Sequence, residues 1–188
     1  MVMLQAIAGF LLRSNSSDPY GSKIDLLAAT TLDGEQYDLC SNKWKREGVC
    51  DSVTLKQQAK NLRTNATILS RLINMGCSKW VVAMDWTGVD GYAYILSFRD
   101  GIFVAHPYAN LMVPKRSTQL KLFRETLDFM FKWKHVLLRL ATEIDSQPGR
   151  RSALRGIVKD TSNVARIKTP TVVITPKSRK RSINEISE

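Results

Sequence analysis

Asp25 and Lys43 are the residues whose types could act together on a phosphate. Hydrolysis of a phosphodiester needs a metal to polarise the phosphate and lower the pKa of an attacking water, and a nearby cation to stabilise the charge that develops. Asp25, in Ile24-Asp25-Leu26-Leu27-Ala28, is a candidate metal ligand, and Lys43 a candidate charge stabiliser or water-orienting group. The plainer reading is an acid flanking a strand and one of several solvated charges in Lys43-Trp44-Lys45-Arg46.

Both residues sit on what reads as a hairpin. An apolar, β-prone segment from Lys23 to Thr30 leads into a turn at Leu32-Asp33-Gly34-Glu35, and a second extended segment runs from Gln36 to Lys45. Asp-Gly between two such segments is a strong hairpin signal. Alternation puts Tyr37, Leu39, Ser41 and Lys43 on one face and Asp38, Cys40, Asn42 and Trp44 on the other. A helical run begins near Val53, with Gln57 and Gln58 in its early turns.

This order resembles the PD-(D/E)XK nuclease superfamily, in particular its Holliday-junction-resolvase-like and restriction-endonuclease-like members, over roughly residues 4 to 107. The resemblance implies a strand aspartate at Asp25, the motif lysine at Lys43 and the helix glutamine at Gln57 or Gln58. Ser41 stands where a second carboxylate belongs, and a hard divalent cation wants several oxygen ligands. Asp38, Glu47 and Asp51 are the neighbouring acids that could replace it. The resemblance therefore implies an α/β fold with a mixed central sheet flanked by helices, and a Mg2+- or Mn2+-dependent endonuclease. A non-catalytic, basic nucleic-acid-binding protein on the same degenerate fold, or an oligomerising matrix-type protein, are the alternatives.

The net charge of +11 favours a polyanionic partner: nucleic acid, DNA ahead of RNA, with an anionic membrane surface behind both. Of that excess, +7 lies in residues 149–188. Candidate phosphate contacts are Lys45, Arg46, Lys56, Lys60 and Arg63 in the first part of the chain. The tail cluster adds Lys177, Arg179, Lys180 and Arg181, a pattern of nuclear-import or nucleic-acid type. The nucleus, or the cytoplasm of a cell without one, is the expected location.

Three cysteines suit a reduced, intracellular setting better than a disulfide framework. Cys40, Cys50 and Cys77 are too scattered and too poor in histidine neighbours for a zinc site. No apolar run reaches the ~18 residues that cross a bilayer as a helix, and the apolar start reads neither as a signal peptide nor as a span.

Helical spacing of Leu4, Ile7, Ala8, Leu11 and Leu12 predicts a short helix over 3–13, and 14–22 reads as a loop. A helix from about Val53 to Met75, capped by Asp51 or Ser52, carries an apolar stripe at Leu55, Ala59, Leu62, Ala66, Leu69 and Ile73. Lys79–Trp86 reads as a buried strand after a crossover. A second hairpin pairs Tyr92–Phe98 with Ile102–His106, its Tyr92, Tyr94 and Phe98 packing on a helix or offering bases a platform. Asp85 and Asp90 near the strand end form, with Asp25, an alternative acidic set.

A long helix over 117–144, with Leu120, Phe123, Leu127, Met130, Phe131, Lys134, Leu137, Leu138 and Ala141 on one side, closes the core or forms a homodimer seam. One domain over 1–146 with a basic, mostly disordered tail over 147–188 is the expected organisation.

Overall fold

A computed structural model describes residues 3–8 and 25–146; the expected loop over 14–22 and the basic tail with Lys177, Arg179, Lys180 and Arg181 lie outside them. Six strands run in spatial order identical to chain order: β1 (Met3–Ala8), β2 (Leu26–Leu32), β3 (Glu35–Lys45), β4 (Trp80–Thr87), β5 (Asp90–Arg99) and β6 (Ile102–Met112). Helix α1 (Asp51–Asn74) crosses from β3 to β4, and α2 (Leu120–Ser146) comes after β6. Since β3 and β4 are joined by a helix, they pair in parallel; every other neighbouring pair is antiparallel. The class is α/β with a mixed sheet.

Both hairpins form at the expected places. Asp33 and Gly34 in one turn, and Asp100 and Gly101 in the other, all have positive φ. That backbone twists with the strands it joins, which explains why Asp-Gly is found at both. Between Ala28 and Ala29 the β2–β3 register slips, so Ala28 faces Cys40 while Ala29 faces Asp38. An extra residue there bends the strand and re-aims the side chains beyond it.

Alternation then decides the content of each face. Toward α1 point Leu39, Ser41 and Lys43 of β3, Val81, Ala83 and Asp85 of β4, and Tyr92 and Tyr94 of β5. Leu39, Val81, Ala83 and Tyr94 join Ala66, Ile68, Leu69 and Leu72 of α1 in the main core. On the other face Val82, Met84, Trp86, Ala93 and Leu111 pack with Phe129 of α2. Trp133 turns inward as well, its indole N–H donating to the Val82 carbonyl at 3.1 Å.

Several expectations are corrected. Residues 3–8 form a strand rather than a helix, paired with Leu26–Thr31. An isolated helix of that length is marginal, whereas pairing on β2 satisfies its backbone groups at once. The N-cap of α1 is Cys50, without a side-chain cap bond, instead of Asp51 or Ser52. His106 lies within β6, not at its end, because the strand continues through Pro107 to Met112; a missing N–H is tolerable on this outermost strand.

Leu120, Leu127 and Phe131 of α2 are exposed. The inward side is Thr126, Phe129, Leu137, Leu140, Ala141 and Ile144. In the first half of α1 the expected stripe faces away from the core: Leu55 is 63 % exposed, while Gln57, Asn61, Thr64 and Asn65 are buried.

Candidate nucleic-acid interface

Those four buried polar residues need partners, because an unpaired polar group in a core costs roughly 1–3 kcal/mol. Most find them on β3, β4 and β5. The Ser41 backbone N–H donates to Asn65 Oδ1 at 2.8 Å, and Asn65 Nδ2 donates back to the Ser41 carbonyl at 2.8 Å, so one amide clamps the helix to the strand. Ser41 Oγ donates to Asn61 Oδ1 (3.1 Å). Asn61 Nδ2 in turn reaches Asp85 Oδ1 (3.1 Å) and the Met84 carbonyl (3.2 Å).

Asp85 is the hub. Its other oxygen accepts from the Tyr92 hydroxyl at 3.2 Å, and the Gln57 amide donates to it too. Burial outweighs these bonds and pushes its pKa from 3.8 up to about 6. Gln57 Oε1, on the same side chain, is buried with no partner among the described residues.

Lys43 lies opposite Asp85 in the parallel ladder, where Lys43, Trp44 and Lys45 register with Asp85, Trp86 and Thr87. It is only 5 % exposed. Burial drives its pKa from 10.5 down to about 8, with Asp25 and Asp85 opposing that displacement and Lys60 and Lys45 adding to it. Among the described residues no carboxylate stands within 4 Å of its ammonium. The site sits at the carboxyl ends of two parallel strands beneath the first turns of a crossover helix, the usual place for ligands in such sheets.

Asp25 adjoins this arrangement. Its Oδ2 accepts the Trp44 backbone N–H at 2.7 Å, which fixes it at the start of β2 within electrostatic reach of Lys43. Of the other sequence candidates, Gln57 enters the network, and Gln58, the next residue around the helix, is half-buried outside it. Asp38 accepts from Gln36 Nε2 (3.0 Å), and Glu47 forms an ion pair with Lys115 (2.7 Å), so neither carboxylate is directed at Lys43. Lys45 and Lys60 are near enough to act on Lys43. Arg46 and Lys56 are exposed, and Arg63 is half-buried. Asp90, paired with Thr87, is exposed.

On the reverse face Trp44 and Trp86 stack, centroids 4.9 Å apart and planes 6° from parallel. Asn42 Oδ1 accepts the Met84 N–H at 2.8 Å, a side chain continuing the ladder beyond its three backbone pairs.

The donor set does not fit a hard divalent cation. Both Asp85 oxygens are engaged by protein donors, Asp25 is tied to the backbone, and a lysine ammonium lies within electrostatic reach of both acids. Mg2+ keeps several waters and substrate oxygens but still needs one or two carboxylates turned toward it, and here Asp85 is committed to Asn61 and Tyr92 and Asp25 to the Trp44 N–H. Ser41, turned to Asn61, supplies none of the missing charge.

Three features escape sequence reasoning: Asn61, Tyr92 as a partner of Asp85, and the tryptophan stack. The signal for the first is present, since Gln57, Asn61 and Asn65 recur every four residues on one helical face. It competes with an apolar stripe that is equally regular.

No family model matches the chain, and no curated protein does. Among solved structures, an N-terminal fragment of Leishmania SAS-6 containing parts of its coiled coil domain is similar at 15% identity, covering 82% of this chain and 84% of that one, with a TM-score of 0.19. At that score the likeness carries no argument.

Proposed function

We propose that this protein binds the sugar-phosphate backbone of nucleic acid at the mouth formed by Lys43, Lys45 and Lys60, without metal-dependent cleavage. The fold is read as restriction-endonuclease-like with a degenerate site. Supporting that finer assignment are the order of acid, hairpin lysine and helix glutamine, and the proximity of Asp25, Lys43 and Gln57 around one strand end. The observation that carries the function is Lys43, a side chain only 5 % exposed whose ammonium has no carboxylate within 4 Å among the described residues yet is not wholly shut off from solvent. A phosphate oxygen adds a direct contact to the longer-range attraction of Asp25 and Asp85, and Lys45 and Lys60 lower the cost of bringing it in. Asp85, bonded by Asn61, Tyr92 and Gln57, holds the helix and strand in place rather than a metal.

Fluorescence anisotropy with DNA and RNA oligonucleotides, duplex and single-stranded, tests this reading between about 50 and 200 mM salt, values that bracket a strong counterion effect. The expected result is affinity that falls steeply with salt, is insensitive to EDTA, and weakens in Lys43→Ala and Lys60→Ala. Cleavage in magnesium or manganese that is lost in Asp25→Ala and Lys43→Ala overturns the non-catalytic assignment. Absence of nucleic-acid binding alongside salt-sensitive binding to anionic liposomes overturns the assignment altogether.

A further inference from the structure

We infer that Trp44 is a stacking platform for an unpaired nucleobase, so that the ligand of this site is single-stranded. The inference rests on the nucleic-acid reading above and narrows it. Trp44 is 49 % exposed although it belongs to a strand in the middle of the sheet. A large indole left half in water at that position costs apolar burial, yet two contacts hold it in place. Its inner face lies flat on Trp86, which is 6 % exposed. Trp86 is itself seated against Gly91, where an added Cβ would stand 2.6 Å from the ring. The Trp44 backbone is fixed by the bond from its N–H to Asp25.

The result is an aromatic plane with one face on Trp86 and about half of the side chain left exposed, held before any ligand arrives. Such preorganisation lowers the ordering cost of binding.

Chemistry of the surroundings selects the occupant. Lys43 and Lys45 flank Trp44 in the strand and Arg46 comes next; Asp25 is the acid beside it, and Glu47 is neutralised by Lys115. A flat π-system with cations one residue to either side matches a base attached to a phosphate backbone. Strand alternation sends Lys43 and Trp44 to opposite faces, so a backbone crossing the sheet end lays phosphate on one side and a base on the other. Bases of a duplex present their faces only to one another, which restricts the platform to unpaired nucleotides. Tyr94 and Phe98 cannot serve, being 2 % and 9 % exposed.

The test uses the full chain with a labelled single strand of about ten nucleotides, within the range of such sites, and its matched duplex. Wild type is expected to prefer the single strand. Trp44→Ala should weaken single-strand binding by about 5- to 100-fold, while Trp44→Phe, which keeps a π face, retains most of it. Unchanged single-strand affinity in Trp44→Ala, or a wild type that binds duplex at least as well, overturns the platform and leaves the nucleic-acid reading standing. Failure of wild type to bind either ligand overturns that reading itself. Should Trp44→Ala not fold, tryptophan quenching on binding decides: it must shrink in Trp44→Phe, and equal quenching in both proteins overturns the inference.

Discussion

Replacing Lys43 by methionine should make the protein more stable and a poorer ligand binder at once. Methionine fills most of the same space without a charge. The displacement of the ammonium from 10.5 to about 8 corresponds, at about 1.4 kcal/mol per pH unit, to at most about 3 kcal/mol by which folding disfavours the charged form, reduced by the solvent that reaches the ammonium. Proton uptake sets the sign. Between about pH 8 and 10.5 the unfolded chain keeps the Lys43 proton that the folded chain has lost, so wild-type stability rises with pH across that window. Below pH 8 the penalty is present in full. Urea unfolding at pH 7 should therefore show Lys43→Met more stable by up to about 3 kcal/mol, with the gap closing toward pH 10. In parallel, the slope of log affinity against log salt should fall by about one, the loss of one phosphate contact. A variant less stable than wild type at pH 7, or a gap that stays constant with pH, refutes the account of Lys43 as a largely buried cation with no contacting carboxylate. Unchanged affinity and slope refute its place in the interface.

Two further substitutions probe the network that carries it. Asp85 has a folded pKa raised from 3.8 to about 6, so the folded state holds a proton the unfolded state has released, and stability should decline by about 3 kcal/mol as pH rises from 4 to 6. In Asp85→Asn that decline is expected to vanish, as urea midpoints at pH 4 and pH 7 will show. Asn61→Ala strips a partner from Ser41 Oγ, Asp85 and the Met84 carbonyl together. It should destabilise by about 2–4 kcal/mol, measured by thermal unfolding, with little direct effect on the salt slope.

The hairpins are legible in the sequence because Asp33-Gly34 and Asp100-Gly101 demand a backbone that few other residues adopt. Lys79–Trp86 is legible as a central strand through its length and apolar density. Asp25 and Lys43 stand out from their chemistry, and the resemblance adds Gln57 or Gln58; Asp25 acts on Lys43, and Gln57 rather than Gln58 joins the Asp85 network at the same strand end. On α1 the stripe is legible at Ala66, Leu69 and Ile73, which are buried, but not in the first half of the helix. Leu55 and Ala59 have the correct period but the wrong phase, and only partners on β3 and β4 make burial of Gln57 and Asn61 tolerable. The same division holds for α2, where Leu137 and Ala141 are buried as expected but Phe131 and Leu127 lie outside and Thr126 inside, its hydroxyl accepting the Met112 N–H. Residues 3–8 mislead because a helical spacing in a short segment loses to an available strand partner.

The short parallel ladder has a consequence for how the molecule holds together. Only Lys43–Lys45 and Asp85–Thr87 pair directly across it, so the sheet is two local meanders, one before α1 and one after, joined along a seam three residues deep. Lys43 and Trp44 belong to the first meander, Asp85 and Trp86 to the second. The stack of Trp44 on Trp86 and the setting of Lys43 against Asp85 exist in neither half alone; they assemble as the halves dock. A molecule that bound only the assembled halves would resist their separation with whatever free energy its binding supplies.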